Sequence, residues 1–124
     1  MTDPVAPIGV DHVAINVGDV PDGIEFYTDK IGLVQNFTRP DFGFAGAWLD
    51  TANGQQIHLI EAVVPNNVGQ HFALAFDDLG AAVTELRARG LRVSDPIPVG
   101  TTGRQQAFTT DPYGNGIELH QRPT

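Results

Sequence analysis

A chain of 124 residues, 41% of them hydrophobic, can bury one core and is the length of a single compact domain. Its 15 acids against 7 bases give a formal charge of −8, which repels phosphate backbones and argues against nucleic-acid partners. It holds no cysteine, which excludes disulfides and thiolate chemistry, and no apolar run approaches the ~18–20 residues of a membrane span.

The opening MTDPVAPIGV lacks the basic start and apolar stretch of a secretory signal, so a cytoplasmic protein is expected. The first β-like run covers residues 10–17. Asp19 is placed to cap a helix in which Val20, Ile24, Tyr27 and Ile31 recur at helical spacing, ending at Gly32-Leu33. Strands are predicted over about 33–38, 44–51 and 55–62, and a linker over about 63–70, where Pro65-Asn-Asn-Val-Gly69 is rich in turn formers. A strand at 71–77 follows. Asp78 then caps a helix carrying Leu79, Ala82, Val83 and Leu86, and Gly90 suits its C-terminal turn. Strands at about 91–95, 104–110 and 115–121 complete the chain.

These two halves are one unit written twice. His12-Val-Ala-Ile-Asn-Val-Gly-Asp19 aligns with His71-Phe-Ala-Leu-Ala-Phe-Asp-Asp78, and Gly54-Gln-Gln-Ile-His58-Leu with Gly114-Asn-Gly-Ile-Glu118-Leu. Ala47-Trp48 falls on Ala107-Phe108 in the same way. The expectation is an α+β domain spanning residues 1–124, built from two tandem βαβββ modules at about 8–62 and 71–122.

Side chains alternate between the faces of a strand. Val13, Ile15 and Val17 share an apolar face, leaving His12, Ala14 and Asn16 opposite. The same parity sets His71, Ala73 and Ala75 against Phe72, Leu74 and Phe76. It sets Gln56 and His58 against Ile57 and Leu59, and Gly116, Glu118 and His120 against Ile117 and Leu119. Small and polar residues thus line one side of four strands, as a ligand cavity requires. Any one of these histidines alone reads as a surface or hydrogen-bonded residue. Together His12, His58, His71 and Glu118 occupy repeat-related places with one parity. Three imidazoles and a carboxylate suit one borderline divalent ion such as Zn, Ni, Co, Mn or Fe(II).

His120 shares that parity and reads as cavity lining or as support for a ligand. Asn16 lies on the same face. Arg104, beside Gly100-Thr-Thr-Gly103, could grip an anionic substrate, although a surface arginine is the simpler reading. Trp48, with Phe42 and Phe44, could wall a substrate pocket, with core packing the plainer role. Glu61 reads as a solvated acid at a strand's outer end, and Asp111-Pro-Tyr-Gly-Asn115 as a tight turn feeding the Glu118 strand.

His12-Val-Ala-Ile-Asn-Val, Phe26-Tyr27, Gly32-Leu33, Ile57-His58-Leu59, His71-Phe-Ala-Leu and Asp111-Pro-Tyr-Gly-Asn-Gly-Ile-Glu118-Leu closely resemble the vicinal oxygen chelate superfamily of glyoxalases, bleomycin-resistance proteins and extradiol dioxygenases. The resemblance covers nearly the whole chain. It implies a half-open barrel around one metal that binds vicinal oxygens of a small substrate. It also implies a homodimer whose sites are shared between chains, with His12 and His58 from one subunit and His71 and Glu118 from the other.

There is one departure. At the position of His58, glyoxalase I carries a glutamate and methylmalonyl-CoA epimerase commonly a glutamine. The expected activity is a metal-dependent lyase or isomerase that stabilises an enolate-like intermediate, with Glu118 or His58 carrying the proton. One alternative is Fe(II)-dependent extradiol-type oxygen chemistry, for which His12, His71 and Glu118 match the ligand set. The other is a metal-free antibiotic-binding resistance protein.

Overall fold

The computed structural model describes residues 5–122. Module one runs β1 (His12–Val17), α1 (Val20–Glu25), β2 (Val34–Asn36), β3 (Gly46–Asp50) and β4 (Gln56–Glu61). Module two runs β5 (His71–Phe76), α2 (Leu79–Ala88), β6 (Ile97–Pro98), β7 (Gln105–Thr110) and β8 (Gly116–Gln121). Each forms a four-stranded mixed sheet, in the orders β1-β4-β3-β2 and β5-β8-β7-β6, with the first strand parallel to the last. The two sheets remain separate, as a half-open α+β architecture requires.

The helices start where their sequences direct. Asp19 and Asp78 accept from the backbone N–H groups of Asp22 and Ala81 at 2.9 and 3.0 Å, and Pro21 occupies the first turn of α1, where no N–H is needed. A second cap recurs in both modules. The side chain of Glu61 accepts from Val20 N–H at 3.1 Å, and Gln121 from Leu79 N–H at 2.9 Å. Glu61 is therefore more than the solvated acid its sequence position suggests. It lies at the end of β4 and ties that strand to the helix opened by Val20.

Two elements differ from expectation. Helix one passes at Phe26–Ile31 into a π-helical turn, ended by Gly32 at φ 99°. Within it, Thr28 Oγ1 donates back to the Ile24 carbonyl at 2.7 Å, and Tyr27 is fully buried. The strand expected at 91–95 does not form, and β6 is only two residues long. One ladder bond remains, from Ser94 N–H to the Phe108 carbonyl at 3.0 Å, and side chains supply the rest. Thr109 Oγ1 donates to the Arg92 carbonyl, the Arg87 guanidinium to the Val93 carbonyl, and Phe108 N–H to Ser94 Oγ. Pro96 and Pro98 supply no N–H for a ladder.

The apolar strand faces and the helices form one core that joins both modules, including Val17, Leu49, Ile57, Leu59, Leu79, Val83, Leu86, Ile117 and Leu119. Gly23 lets α1 approach its sheet closely: a Cβ there would lie 3.3 Å from both Leu59 and Val17 side-chain atoms. Polar ties cross the module boundary. Tyr27 Oη donates to Asp111 Oδ2 at 2.7 Å, where burial and that carboxylate raise the phenol's pKa, and Asn115 donates to the Asn16 carbonyl at 2.8 Å. No helix among the described residues is long and apolar enough to cross a membrane.

Candidate metal centre

Parity places the candidate ligands as the alternation predicts. His58 lies opposite Ala14 and Trp48, and Glu118 opposite Ala73 and Phe108, so the two sheets hold equivalent constellations. Within one chain these remain two pairs. His12 and His58 stack with ring centroids 3.9 Å apart and an interplanar angle of 14°. His71 Nε2 lies 3.3 Å from Glu118 Oε1. Among the described residues no three histidines or carboxylates converge on one point.

Hydrogen-bond partners fix the imidazole tautomers, because each partner atom can only accept. His71 Nδ1 lies 2.8 Å from the Gly69 carbonyl, so a proton sits there, and it is Nε2 that the ring's neutral form offers as a lone pair. His12 Nδ1 lies 2.8 Å from Asp11 Oδ2, which likewise leaves Nε2 bare. Gln56 donates its amide N–H to Asp50 and turns its oxygen to His58 Nε2 at 2.8 Å, leaving Nδ1 bare on that ring. Burial lowers the pKa of His58 below the ordinary imidazole value, with the neighbouring His12 and Arg39 acting in the same direction and Asp11 opposing them. Neutral, tautomer-fixed rings are the form that binds metal.

At the second pair His71 Nε2 faces a carboxylate oxygen, a contact that a proton on that nitrogen or a metal ion shared by the two atoms makes favourable. Donors 3.3 Å apart can both reach an ion that binds each at about 2.0–2.2 Å, so the pair fits a divalent metal. Glu118 Oε2 accepts from His120 Nδ1 at 2.6 Å, which orients the carboxylate. His120 thus supports a candidate ligand, and its Nε2 is buried with no hydrogen-bond partner. Gly116 gives His71 room: a Cβ there would lie 3.3 Å from the His71 Cβ and 3.1 Å from Asn67 Nδ2.

The remaining candidates separate. Trp48 stacks on His58 at 4.8 Å and an interplanar angle of 12°, on the face away from the core. Phe42 and Phe44 are half-exposed rather than packed in the core. Asn16 is occupied structurally, donating to the Val63 carbonyl at 2.9 Å. Arg104 precedes β7 and makes no side-chain hydrogen bond or ion pair among the described residues. Sequence reasoning missed Gln56 as the tautomer-setting partner of His58, although its spacing of two along a strand is a signal for it. It also missed Arg39, whose loop carries no periodicity to read.

The sequence model of the Glyoxalase/Bleomycin resistance protein/Dioxygenase superfamily matches residues 9–119. The chain belongs to this superfamily. It is 32% identical over 122 residues to lactoylglutathione lyase GLX1 of Arabidopsis thaliana, matching 90% of this chain but only 43% of that protein, so it spans less than half the plant enzyme's length. It is 30% identical to a lactoylglutathione lyase of Haemophilus influenzae, with 87% of this chain and 88% of that one covered. A solved glyoxalase-family protein from Bacillus anthracis superposes with a TM-score of 0.81 at 25% identity, covering 99% of this chain and all of that one.

Proposed function

We propose that this superfamily member is a glyoxalase-like enzyme of the lyase or isomerase type, dependent on one divalent metal per site. Its substrate is a small molecule presenting vicinal oxygens. Four side chains hold the metal: His12 and His58 of one protomer, and His71 and Glu118 of its partner in a homodimer. The observation that carries this reading is the placing of His71 Nε2 3.3 Å from Glu118 Oε1, with Nδ1 turned to the Gly69 carbonyl, so that a nitrogen and a carboxylate oxygen stand together as two metal donors would. Relatives named lactoylglutathione lyase support the reaction class.

A bound divalent ion supplies Lewis-acid polarisation of the substrate's oxygens. The chain's own residues do the rest. His12 and His58 offer bare nitrogens from a rigid stack. Glu118 is the base that accepts a proton at a carboxylate oxygen, held in place by His120 Nδ1–H. His58 stays neutral between Trp48 and His12 and is the second candidate proton carrier.

The test is elemental analysis of protein purified without chelator, followed by an anaerobic substrate screen with Zn, Ni, Co or Mn. One metal per site is expected, together with turnover without O₂. His71→Ala and Glu118→Gln should each lower metal affinity steeply while leaving the circular dichroism spectrum unchanged. Absence of metal uptake, judged by elemental analysis and thermal shift, would sink the metal assignment and favour a sequestering protein. Activity seen only with Fe(II) and O₂ would move it to the dioxygenases.

A further inference from the structure

Ring contacts continue outward from the first ligand pair. Beyond His58, Trp48 lies 6.4 Å from Phe42, and Phe42 stacks on Phe44 at 5.9 Å with an interplanar angle of 20°. The Arg39 guanidinium sits 5.0 Å from the Phe42 ring centroid and 5.2 Å from that of Phe44. One of its N–H groups donates to the Phe44 carbonyl at 3.1 Å, and it makes no other hydrogen bond among the described residues. Four of the roughly five N–H donors of a guanidinium are thus uncommitted.

Two features mark Arg39. Like Lys30, Arg92 and Arg104 it has no carboxylate partner among the described residues, but of these four it is the one whose charge lies over aromatic rings. Its position is also built into the backbone. A Cβ on Gly46 would lie 2.7 Å from an Arg39 terminal nitrogen and 2.6 Å from the Leu59 carbonyl oxygen, so glycine there leaves room for the guanidinium. Two phenylalanines about half exposed, at 52% and 50%, flank this cation on the same run of rings as the ligand pair. An apolar, π-rich strip that ends in an unpaired planar cation is complementary to a flat ring carrying an anion.

We propose that Arg39, Phe42, Phe44 and Trp48 recognise the part of the substrate that does not chelate, and that this part is a planar aryl group bearing a carboxylate. The proposal rests on the metal-chelating reading of His12 and His58. The vicinal oxygens lie at the imidazole end, the ring lies along Trp48 and Phe42, and the carboxylate meets the free N–H groups of Arg39. Such a substrate is flat and anionic, and the wall selects for it independently of the metal's chemistry.

Calorimetric titration of anaerobic, zinc-loaded protein with three probes tests this. The first, 3,4-dihydroxybenzoate, carries vicinal oxygens, a ring and a carboxylate. Catechol lacks the carboxylate, and glycerate lacks the ring. The complete probe should bind about tenfold more tightly than either of the others. Arg39→Gln should erase its advantage over catechol, and Phe44→Ala its advantage over glycerate, with zinc affinity unchanged in both variants. Arg39→Lys, which keeps the charge without the planar stack, should fall between and serves if the glutamine variant does not fold.

If the wild-type protein takes up no zinc, the chelating reading has failed. The wall is then tested in metal-free protein by titrating benzoate against benzyl alcohol and following fluorescence of Trp48, the chain's one tryptophan. A preference for benzoate that disappears in Arg39→Gln upholds the wall, and no preference overturns it. Equal affinity of 3,4-dihydroxybenzoate and catechol, or an Arg39→Gln variant that behaves as wild type, also overturns it. So does a Phe44→Ala variant that loses only dimerisation, which would assign the rings to contact between copies.

Discussion

The two sheets share strand order and register, yet they present different chemistry at equivalent places. In module one, His58 stacks between His12 and Trp48 and is oriented by Gln56. In module two the equivalent carboxylate, Glu118, lies between His71 and His120, and Gly116 replaces Gln56. One half offers neutral nitrogens on a rigid aromatic surface. The other offers a charge whose two oxygens are both engaged. Repetition fixes where these side chains stand, and divergence at Gln56/Gly116 and His58/Glu118 gives the two places different chemistry. On the proposed reading each half supplies two donors, fewer than the usual four of a closed tetrahedral site, and is completed by its counterpart.

Mixing the halves gives the sharpest break of this comparison. A His12→Ala/His58→Ala variant and a His71→Ala/Glu118→Gln variant should each fail to bind metal as homodimers. Co-refolded, their heterodimer has one site with all four ligands and one with none. Metal binding should return to about half of the heterodimer's sites, since an isologous pair makes two equivalent interfaces. Elemental analysis of the isolated heterodimer reads the result. No recovery, or a monomeric wild-type protein by sedimentation, would rule out a shared site.

Next in size are the supporting residues that differ between the halves. His120→Ala leaves Glu118 Oε2 without its donor and should lower metal affinity about 10–100-fold, the range for loss of a hydrogen bond behind a ligand. Gln56→Ala, which frees the His58 tautomer, should sit at the low end of that range. His120→Asn, which can still donate, should recover part of the loss. If Gln56→Ala costs more than His120→Ala, module one rather than module two dominates the site.

Alternation in four strands made the polar face legible from sequence, because a core face of Val13, Ile15 and Val17 forces His12 and Asn16 to the other side. The repeat then made His58 and Glu118 equivalent, and β4 and β8 occupy equivalent places in the two sheets. Three features were not legible. The π-helical turn at Phe26–Ile31 keeps the same apolar spacing as an α-helix and gains its tie from Asp111, 84 residues away in sequence. The absent strand at 91–95 has strand-like composition, and its hydrogen bonds are supplied mostly by the side chains of Arg87, Ser94 and Thr109 instead. Arg39 depends on a loop geometry and on the space left by Gly46, neither of which leaves a periodic mark.

The turns before β4 and β8 test how far the halves are interchangeable. Thr51 and Asp111 occupy equivalent places: Gly54 N–H donates to the Thr51 carbonyl and Gly114 N–H to that of Asp111, each at 3.1 Å. Asp111 alone reaches the other module, through buried Tyr27. Asp111→Thr removes the acceptor of the Tyr27 hydroxyl and weakens the turn, where the same carboxylate accepts from Tyr113 and Asn115 N–H, and should cost at least about 2 kcal/mol in denaturant unfolding. Thr51→Asp, at a surface turn, should stay within about 0.5 kcal/mol of wild type. Adding Tyr27→Phe to Asp111→Thr should cost less than the sum of the two single changes, because both remove one interaction.

The smallest effect separates a charged cap from a neutral one. Glu61 and Gln121 accept from the first N–H of their helices in the same geometry, at 3.1 and 2.9 Å. Removing either acceptor leaves an N–H without its partner at a helix start, so Glu61→Ala and Gln121→Ala should each cost about 1 kcal/mol. Their dependence on salt should differ. Glu61 adds a full negative charge at the positive end of α1, a term of roughly 0.3–1 kcal/mol that screening weakens. Gln121 adds no charge to its cap, and its amide also donates to the Asp77 carbonyl at 2.9 Å. Glu61→Gln should therefore be mildly destabilising at low ionic strength and near neutral at 1 M salt, a condition where the Debye length is about 3 Å. Gln121→Glu gains the charge but loses the donor to the Asp77 carbonyl, so whatever its net effect, its stability relative to wild type should fall as salt rises. Urea unfolding of the four variants at two salt concentrations measures all of these terms. A Glu61→Ala cost that does not change with salt would show that the carboxylate acts through its hydrogen bond alone, and that the two caps are equivalent despite their charge.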